Sequence, residues 1–509
     1  MTLPFSSVGF WLPRRAELTP NRVAIETPQR SLTYEDMERR TAAFAGLLAS
    51  AGVAAGDRVA TLLGNGPEYA EVLFACARLG AILVPLSQRL APAEIEFMVD
   101  DSGATTIVYG SEYTAMVDSF RNRTGIKSSF VLGEAAETDV GYEDALANTA
   151  PVTEPRDCAP DDVLGIFYTS GTTGRPKGAM LTHGNFFWTN LNILLAFDFH
   201  QDERSLMVLP MFHLGGWNVN TLSVWLVGGT VFIETAFDAG RALDLIESKR
   251  ITSMMGVPTI YQMIADHPAF ATTDLSSVRS FICGGAPLPL PLIRRYQERR
   301  VRFIQGYGLT EAAPNCLALA PEDAESKAGA AGRPYFFADV KLFGPNDEEV
   351  GPGGTGEVVV GGPSVMKGYW NLPEETAQTL RGGWLRTGDI GHMDDDGYIT
   401  IVDRVKDMYI SGGENVYPAE VEKTLASHPA VAEAAVIGVP DPTWGESGRA
   451  IVVLRPDATA TKDEIVAFCT ERLAKFKVPA EVVFTNALPR NPTGKLLKPE
   501  LRTRFGGSQ

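Results

Sequence analysis

The chain has 509 residues, with 62 acidic against 45 basic side chains and a formal net charge of −17. That length calls for more than one domain. A composition of 45 % apolar and 21 % charged residues is that of a globular protein, which excludes disorder, collagen-like repeats and coiled coil as the main organisation. The acidic surplus argues against nucleic acid as a partner, because such affinity rests on Lys and Arg neutralising phosphates, yet it leaves a single nucleotide open.

The N-terminal stretch through Pro20 lacks a basic segment before an apolar core, so no signal peptide is expected. No apolar run approaches the ~20 residues of a membrane span, although peripheral contact through one patch stays open. Between residues 58 and 310 short apolar runs alternate with helix-like segments. Strands are predicted at Arg58–Leu63, Ala81–Leu86, Thr105–Tyr109, Val163–Thr169, Ser205–Leu209, Thr230–Glu234, Thr252–Gly256, Ser280–Cys283 and Val301–Gln305. Apolar residues at helical spacing lie between many of them, as in Tyr69, Val72, Leu73 and Cys76. This alternation implies βαβ units, an α/β architecture of parallel sheets flanked by helices.

From Val340 to Val402 strands with Gly turns predict a β-rich subdomain. Beyond Asp403 a helix at Pro418–Ala426, strands at Val431–Gly438 and Ala450–Leu454, a helix at Lys462–Leu473 and a strand at Glu481–Phe484 predict a small α+β domain. The predicted division is therefore 1–403 and 404–509. Arg294, Arg295, Arg299, Arg300 and Arg302 suggest a basic helix with a solvated face. Cys76, Cys158, Cys283, Cys316 and Cys469 are dispersed and include no C-x-x-C pair, so neither a disulfide framework nor a zinc cluster fits. A reducing, cytoplasmic compartment is the expectation.

The segment from Tyr168 to His183 packs Thr169, Ser170, Gly171, Thr172, Thr173, Gly174 and Lys177 after a predicted strand. Glycines admit an anion to the backbone, hydroxyls and free N–H groups donate to it, and the lysine supplies charge. The order of residues is not that of a P-loop, since Gly178 follows Lys177. Two further strand ends carry Gly285-Ala286-Pro287 and Gly306-Tyr307-Gly308 with Thr310 and Glu311. The first leaves room for a flat ring. The second offers an aromatic face, a hydroxyl and a hard oxygen ligand for Mg²⁺. Asp389 follows a Gly turn, where a carboxylate can accept two ribose hydroxyls. Gly351 to Gly356 matches G-x-G-x-x-G, but a strand rather than a helix follows it, so a dinucleotide site is rejected.

Taken in order, these segments resemble the adenylate-forming superfamily, which includes acyl-CoA synthetases, peptide-synthetase adenylation domains and firefly luciferase. The likeness spans nearly the whole chain. It implies that Thr169 to Gly174 with Lys177 bind phosphates and that Gly285, Ala286, Pro287, Gly306, Tyr307 and Gly308 surround adenine. It further implies that Thr310 contacts the α-phosphate, that Glu311 and Thr169 hold Mg²⁺, and that Asp389 and Arg404 hold ribose or phosphate. Lys406 matches the hinge of a mobile C-terminal domain, and Gly412 and Gly413 match a loop near the CoA tunnel. Lys495 matches the lysine that stabilises charge during adenylation, with Thr310 and Glu311 as its catalytic companions. His213, Trp217 and Gly308 match the acyl pocket.

Amino-acid-activating members carry an Asp where His213 stands, so the resemblance is closer to fatty-acyl and aryl-acid CoA ligases. The activity so implied is an ATP-dependent carboxylic acid:CoA ligase using ATP, Mg²⁺ and coenzyme A. It would form acyl-AMP, then acyl-CoA, from a medium- or long-chain fatty acid or an aromatic acid of the benzoate or cinnamate type. Loading of a free-standing carrier protein and a non-catalytic nucleotide-binding module stand as alternatives. A homodimer is compatible with this reading.

Overall fold

The computed structural model describes residues 7–136, 139–169, 175–404, 407–411, 414–490 and 496–506. The chain forms two compact units, Met1–Val340 with Val360–Arg386, and Lys341–Val359 with Thr387–Gln509.

Two sheets organise the first unit. One runs in the order Gly368–Tyr369, Lys177–Thr182, Val163–Thr169, Ile82–Pro85, Arg58–Leu62, Thr106–Gly110, Ser128–Leu132 and Val140–Gly141. Its strands are parallel from Val163–Thr169 onward, and the first two pair antiparallel. The other sheet has a parallel centre made of Phe303–Tyr307, Ser280–Gly284, Ser253–Gly256, Arg204–Met207, Thr230–Ile233 and Val23–Glu26. Leu317–Leu319 with Arg333–Pro334 at one edge, and Ser31–Thr33 at the other, run antiparallel. The parallel centres follow from helical crossovers between successive apolar strands, whereas short connections return the chain antiparallel.

Helices cover these sheets because their apolar spacing faces inward. Pro67–Leu79 begins on a proline, buries Tyr69, Val72, Leu73 and Cys76, and stops at Gly80 with φ 71°. In one layer Tyr261, Phe281, Tyr296 and Phe303 meet edge-on, tilted or stacked at 4.9–6.1 Å, the spacing of favourable aromatic pairs. All five cysteines are buried free thiols.

In the second unit the strand ending at Met393 pairs antiparallel with Ile399–Arg404. A further sheet contains Tyr409–Ser411, Glu414–Val416, Val431–Asp441, Gly445–Leu454 and Glu481–Phe484. Pro418–Ala426 and Lys462–Thr470 pack as helices, the second ending three residues before its predicted stop. Val421, Leu425, Val436, Val452, Ile465 and Val482 share one apolar core there.

The basic segment has the solvated face that was expected, but it is only partly helical. Its helix spans only Leu290–Gln297, and Arg300 has φ 61°. Arg294 pairs with Glu325 at 2.8 Å, Arg295 with Asp266 at 2.7 Å, and Arg299 donates to the carbonyls of Phe270 and Thr273. Two of the five guanidiniums are thus paired with carboxylates, and both stay open to solvent. Among the described residues no helix is long and apolar enough to cross a membrane.

Candidate active site

The Tyr168–His183 segment forms a hairpin rather than a strand-to-helix turn. Val163–Thr169 pairs antiparallel with Lys177–Thr182, so Thr169 lies opposite Lys177 at the mouth of the loop. Ser170, Gly171, Thr172, Thr173 and Gly174 lie outside the described residues. On the other side of the lysine strand, Gly368 and Tyr369 pair with Met180 and Ala179. That register lays the Tyr369 ring 5.3 Å from Lys177 Nζ, within cation–π range.

Glu311 completes this group. The Tyr369 hydroxyl donates to Glu311 Oε1 at 2.8 Å, and the Thr169 hydroxyl donates to the same oxygen at 3.3 Å. Burial and the adjoining carboxylate push the Tyr369 phenol up, so it stays a neutral donor. The backbone carbonyl of Glu311 accepts from Met366 N at 2.8 Å.

The Thr310–Ala312 turn is held from beneath. Asn190 Nδ2 donates to Asn218 Oδ1 at 2.6 Å, and Asn218 Nδ2 donates to the carbonyl of Ala313 at 2.7 Å. Both asparagines are fully buried, where satisfied amides fix geometry. Gly308 is required sterically, because a Cβ there would come within 1.4 Å of the Pro314 carbonyl oxygen.

Two predicted motifs meet at the carboxyl ends of neighbouring parallel strands, where ligands of open α/β sheets bind. Gly284 and Gly306 are in register. Gly285, Ala286 and Pro287 are exposed beyond one strand, and Tyr307 is half-buried at the end of the next. His213 caps the short helix Leu214–Trp217, its Nδ1 accepting from Gly215 N at 3.1 Å. That bond assigns the ring proton to Nε2. The imidazole is open to solvent yet surrounded by protein, as on a crevice wall, and desolvation lowers its pKa. Trp217 is only 1 % exposed and packs edge-on against Tyr69 at 5.4 Å.

In the second unit Asp389 lies opposite Arg404 in a strand pair, and Arg404 Nε reaches Asp389 Oδ1 at 2.9 Å. This ion pair joins two residues predicted separately. Lys406, Gly412, Gly413 and Lys495 lie outside the described residues. Tyr369 was not predicted. Its sequence signal is a lone Gly-Tyr-Trp in a β-rich region, and only the strand register makes it meaningful.

Among the described residues there is no cluster of three or more His, Cys, Asp and Glu able to hold a metal alone. The donors present still fit Mg²⁺. It is commonly bound by one or two carboxylates together with substrate phosphates and water. Both protein donors to Glu311 fall on Oε1, which leaves Oε2 without a hydrogen bond from the described residues.

The AMP-binding enzyme family matches residues 12–370, and the C-terminal domain of AMP-binding enzymes matches residues 420–495. A feruloyl-CoA synthase of an Amycolatopsis species is 47 % identical over 98 % of this chain and 99 % of its own length. A long-chain fatty acid–CoA ligase of Mycobacterium tuberculosis is 40 % identical over 99 % of each chain. Among solved structures, the o-succinylbenzoate-CoA synthetase of Bacillus subtilis in complex with ATP and magnesium superposes with a TM-score of 0.87. It shares 33 % identity over 97 % of this chain and 99 % of that one.

Proposed function

Because the chain belongs to the AMP-binding, adenylate-forming enzymes and is an ATP-dependent acid–CoA ligase, we propose that its acid is aromatic and that the residues above divide the chemistry between two half-reactions. The observation that carries the assignment of roles is the group Thr169, Lys177, Glu311 and Tyr369, assembled from three separate segments. The similarity to a feruloyl-CoA synthase supports an aromatic acid over a fatty one.

A carboxylate is a poor acyl donor because oxide leaves badly. Its attack on the α-phosphorus of ATP releases pyrophosphate and gives an acyl-adenylate whose leaving group is AMP. Both reactants are anionic, so the protein must place positive charge and hydrogen-bond donors where charge develops. In this reading Ser170 to Gly174 and Lys177 hold the phosphates, Thr310 contacts the α-phosphate, and Lys495 stabilises the charge as the bond forms. Glu311, with Thr169, holds Mg²⁺, which when bound neutralises phosphate charge. Tyr307 stacks on adenine beside Gly285, Ala286, Pro287 and Gly306. Asp389 accepts from the ribose hydroxyls, and Arg404 orients that carboxylate or reaches the nucleotide.

The second half-reaction transfers the acyl group to the CoA thiol and releases AMP, without a covalent enzyme intermediate. Rotation of 404–509 about Lys406, bringing Gly412 and Gly413 to the pantetheine arm, is the proposed switch between the two. His213 and Trp217 belong to the acyl side with Gly308. The reading places the enzyme in the cytoplasm, as a monomer or homodimer.

The test is AMP and thioester formation with Mg²⁺-ATP across cinnamates, benzoates and fatty acids, with and without CoA. A CoA-dependent thioester with aromatic acids is the expected result. AMP release without a CoA product would point to a carrier protein as acceptor, and turnover of fatty acids alone would reject the aromatic assignment.

A further inference from the structure

Among the described residues, seven that are not glycine have positive φ. Six are exposed Asp, Asn or Arg. The seventh is Ala313, fully buried, with φ 58° immediately after the Thr310–Ala312 turn. Asp and Asn visit this left-handed region because a short polar side chain bonds the local backbone, and Ala has no such group. Residues held there persist where their surroundings over-determine them, and they cluster at sites of chemistry.

The carbonyl of Ala313 is held by one buried side chain, since Asn218 Nδ2 donates to it at 2.7 Å. A carbonyl only accepts, which fixes the orientation of the amide. Asn218 Oδ1 then accepts from Asn190 Nδ2 at 2.6 Å, and Asn190 Oδ1 accepts from Ser223 Oγ at 2.6 Å. The Asn218 carbonyl accepts from Asn315 Nδ2 at 3.3 Å, so one residue clasps the chain at 313 and at 315. Asn190, Asn218 and Ser223 are fully buried, and a hydrogen-bonded chain of that kind rigidifies what it touches. Asn218 also closes the helix Leu214–Trp217, its N–H donating to the Leu214 carbonyl at 2.9 Å. The segment of His213 and Trp217 is thereby joined to that of Thr310 and Glu311 through a single residue.

We propose that Asn218 is a positioning residue for adenylate formation. Its amide holds Ala313 in the left-handed conformation and so aims the Thr310 hydroxyl and the Glu311 carboxylate. This rests on the roles given above to Thr310 and Glu311. Adenylation joins an oxygen of the acid to the α-phosphorus, so its rate depends on how the two reactants are placed against each other. A misplacement of about 1 Å costs on the order of 10²-fold.

The experiment uses Asn218→Leu, which is close in size and lacks the donor, while Asn190 Nδ2 keeps the Phe186 carbonyl as acceptor at 2.8 Å. Asn218→Ser, one bond shorter, takes its place where the leucine protein does not fold. Each is made alone and together with Ala313→Gly, because glycine adopts left-handed backbone without a restraint. The readouts are pyrophosphate release with cinnamate or decanoate, whichever the wild type turns over, the KM for that acid, and Mn²⁺ binding in the presence of ATP by electron paramagnetic resonance. The kcat for pyrophosphate release and the Mn²⁺ affinity are each expected to fall about tenfold or more. The KM for the acid should stay within about threefold, because Trp217 remains packed on Tyr69. Ala313→Gly should restore most of both losses. A folded variant with wild-type kcat and Mn²⁺ affinity overturns the proposal. So does a loss that Ala313→Gly leaves in place, or one with a parallel rise in acid KM, since loosened packing alone produces these. Wild type that releases no pyrophosphate with either acid rejects the ligase reading, and the role of Asn218 then stands or falls on the Mn²⁺ affinity and its recovery by Ala313→Gly.

Discussion

His183 ends the phosphate-loop hairpin, and its burial sets a pH dependence whose size can be worked out. The ring is fully buried, its Nδ1 accepts from Val8 N at 3.1 Å, and its Nε2 has no partner among the described residues. Desolvation lowers its pKa from 6.5 to about 4, opposed in part by Asp162. It also opens the helix His183–Phe197, an end that disfavours a cation. As pH falls through ~6.5 the unfolded imidazole takes up a proton that the folded one refuses until about pH 4. Stability is therefore intact above pH 6.5 and is lost progressively below it. Linkage puts the loss from this one group at about 1.4 kcal/mol by pH 5.5 and on the order of 3 kcal/mol below pH 4.

His183→Asn isolates this contribution, because the Asn Oδ1 can still accept from Val8 N but the side chain does not titrate. Urea unfolding of both proteins between pH 8 and 5.5 is the assay, followed by tryptophan fluorescence. Stopping there keeps the protein soluble, since its charge of −17 is titrated away on further acidification. The wild-type advantage over the variant should shrink by about 1.4 kcal/mol across that range. An advantage that stays constant with pH would refute the claim that the buried ring is held neutral.

Three other outcomes are expected. Tyr369→Phe removes the 2.8 Å bond to Glu311 and should weaken Mn²⁺ binding in the presence of ATP about tenfold, read by electron paramagnetic resonance. Unchanged affinity would mean that Thr169 alone orients the carboxylate. Lys495→Ala should cut adenylate formation by about 10²–10³-fold while supplied acyl-AMP is still converted to thioester, measured by pyrophosphate release and CoA consumption. The five buried thiols should resist a disulfide-exchange reagent in the native protein and all react in urea, because burial pushes Cys76 and Cys283 up and hides their sulfurs.

Legibility in the sequence followed the range of the forces involved. Val163–Thr169, Pro418–Ala426 and Glu481–Phe484 were read with the bounds they have, because local apolar pattern and a proline at the first helical position decide them. Glu311, Thr169 and Lys177 were legible as chemical types in Gly-rich loops. Tyr369 was not, since its meaning depends on a two-residue strand pairing with Ala179. Asn190 and Asn218 read as ordinary polar residues, and only long-range packing turns them into a support for the Thr310–Ala312 turn. The arginine run looked basic because charge is visible in sequence, whereas Glu325 and Asp266, which pair with Arg294 and Arg295, approach through the fold.

The hairpin origin of the phosphate loop has a bearing on how this enzyme can vary. In a strand-to-helix loop, the first turn of the helix lends its amide groups to the anion. Here the next helix begins only at His183, and its leading amides are engaged locally. Thr182 Oγ1 accepts from Asn185 N, and Asn185 Oδ1 accepts from Thr182 N. The segment thus has no helix terminus to spare, and the charge it offers comes from side chains, Lys177 among them. That side chain keeps its face through the ladder Thr169–Lys177, Tyr168–Gly178 and Phe167–Ala179, with Tyr369 paired to Ala179 on the other side. A single-residue insertion or deletion inside either strand would turn the lysine to the opposite side of the sheet. Evolution of new acid specificities is thereby steered away from these two strands, whose length must stay constant.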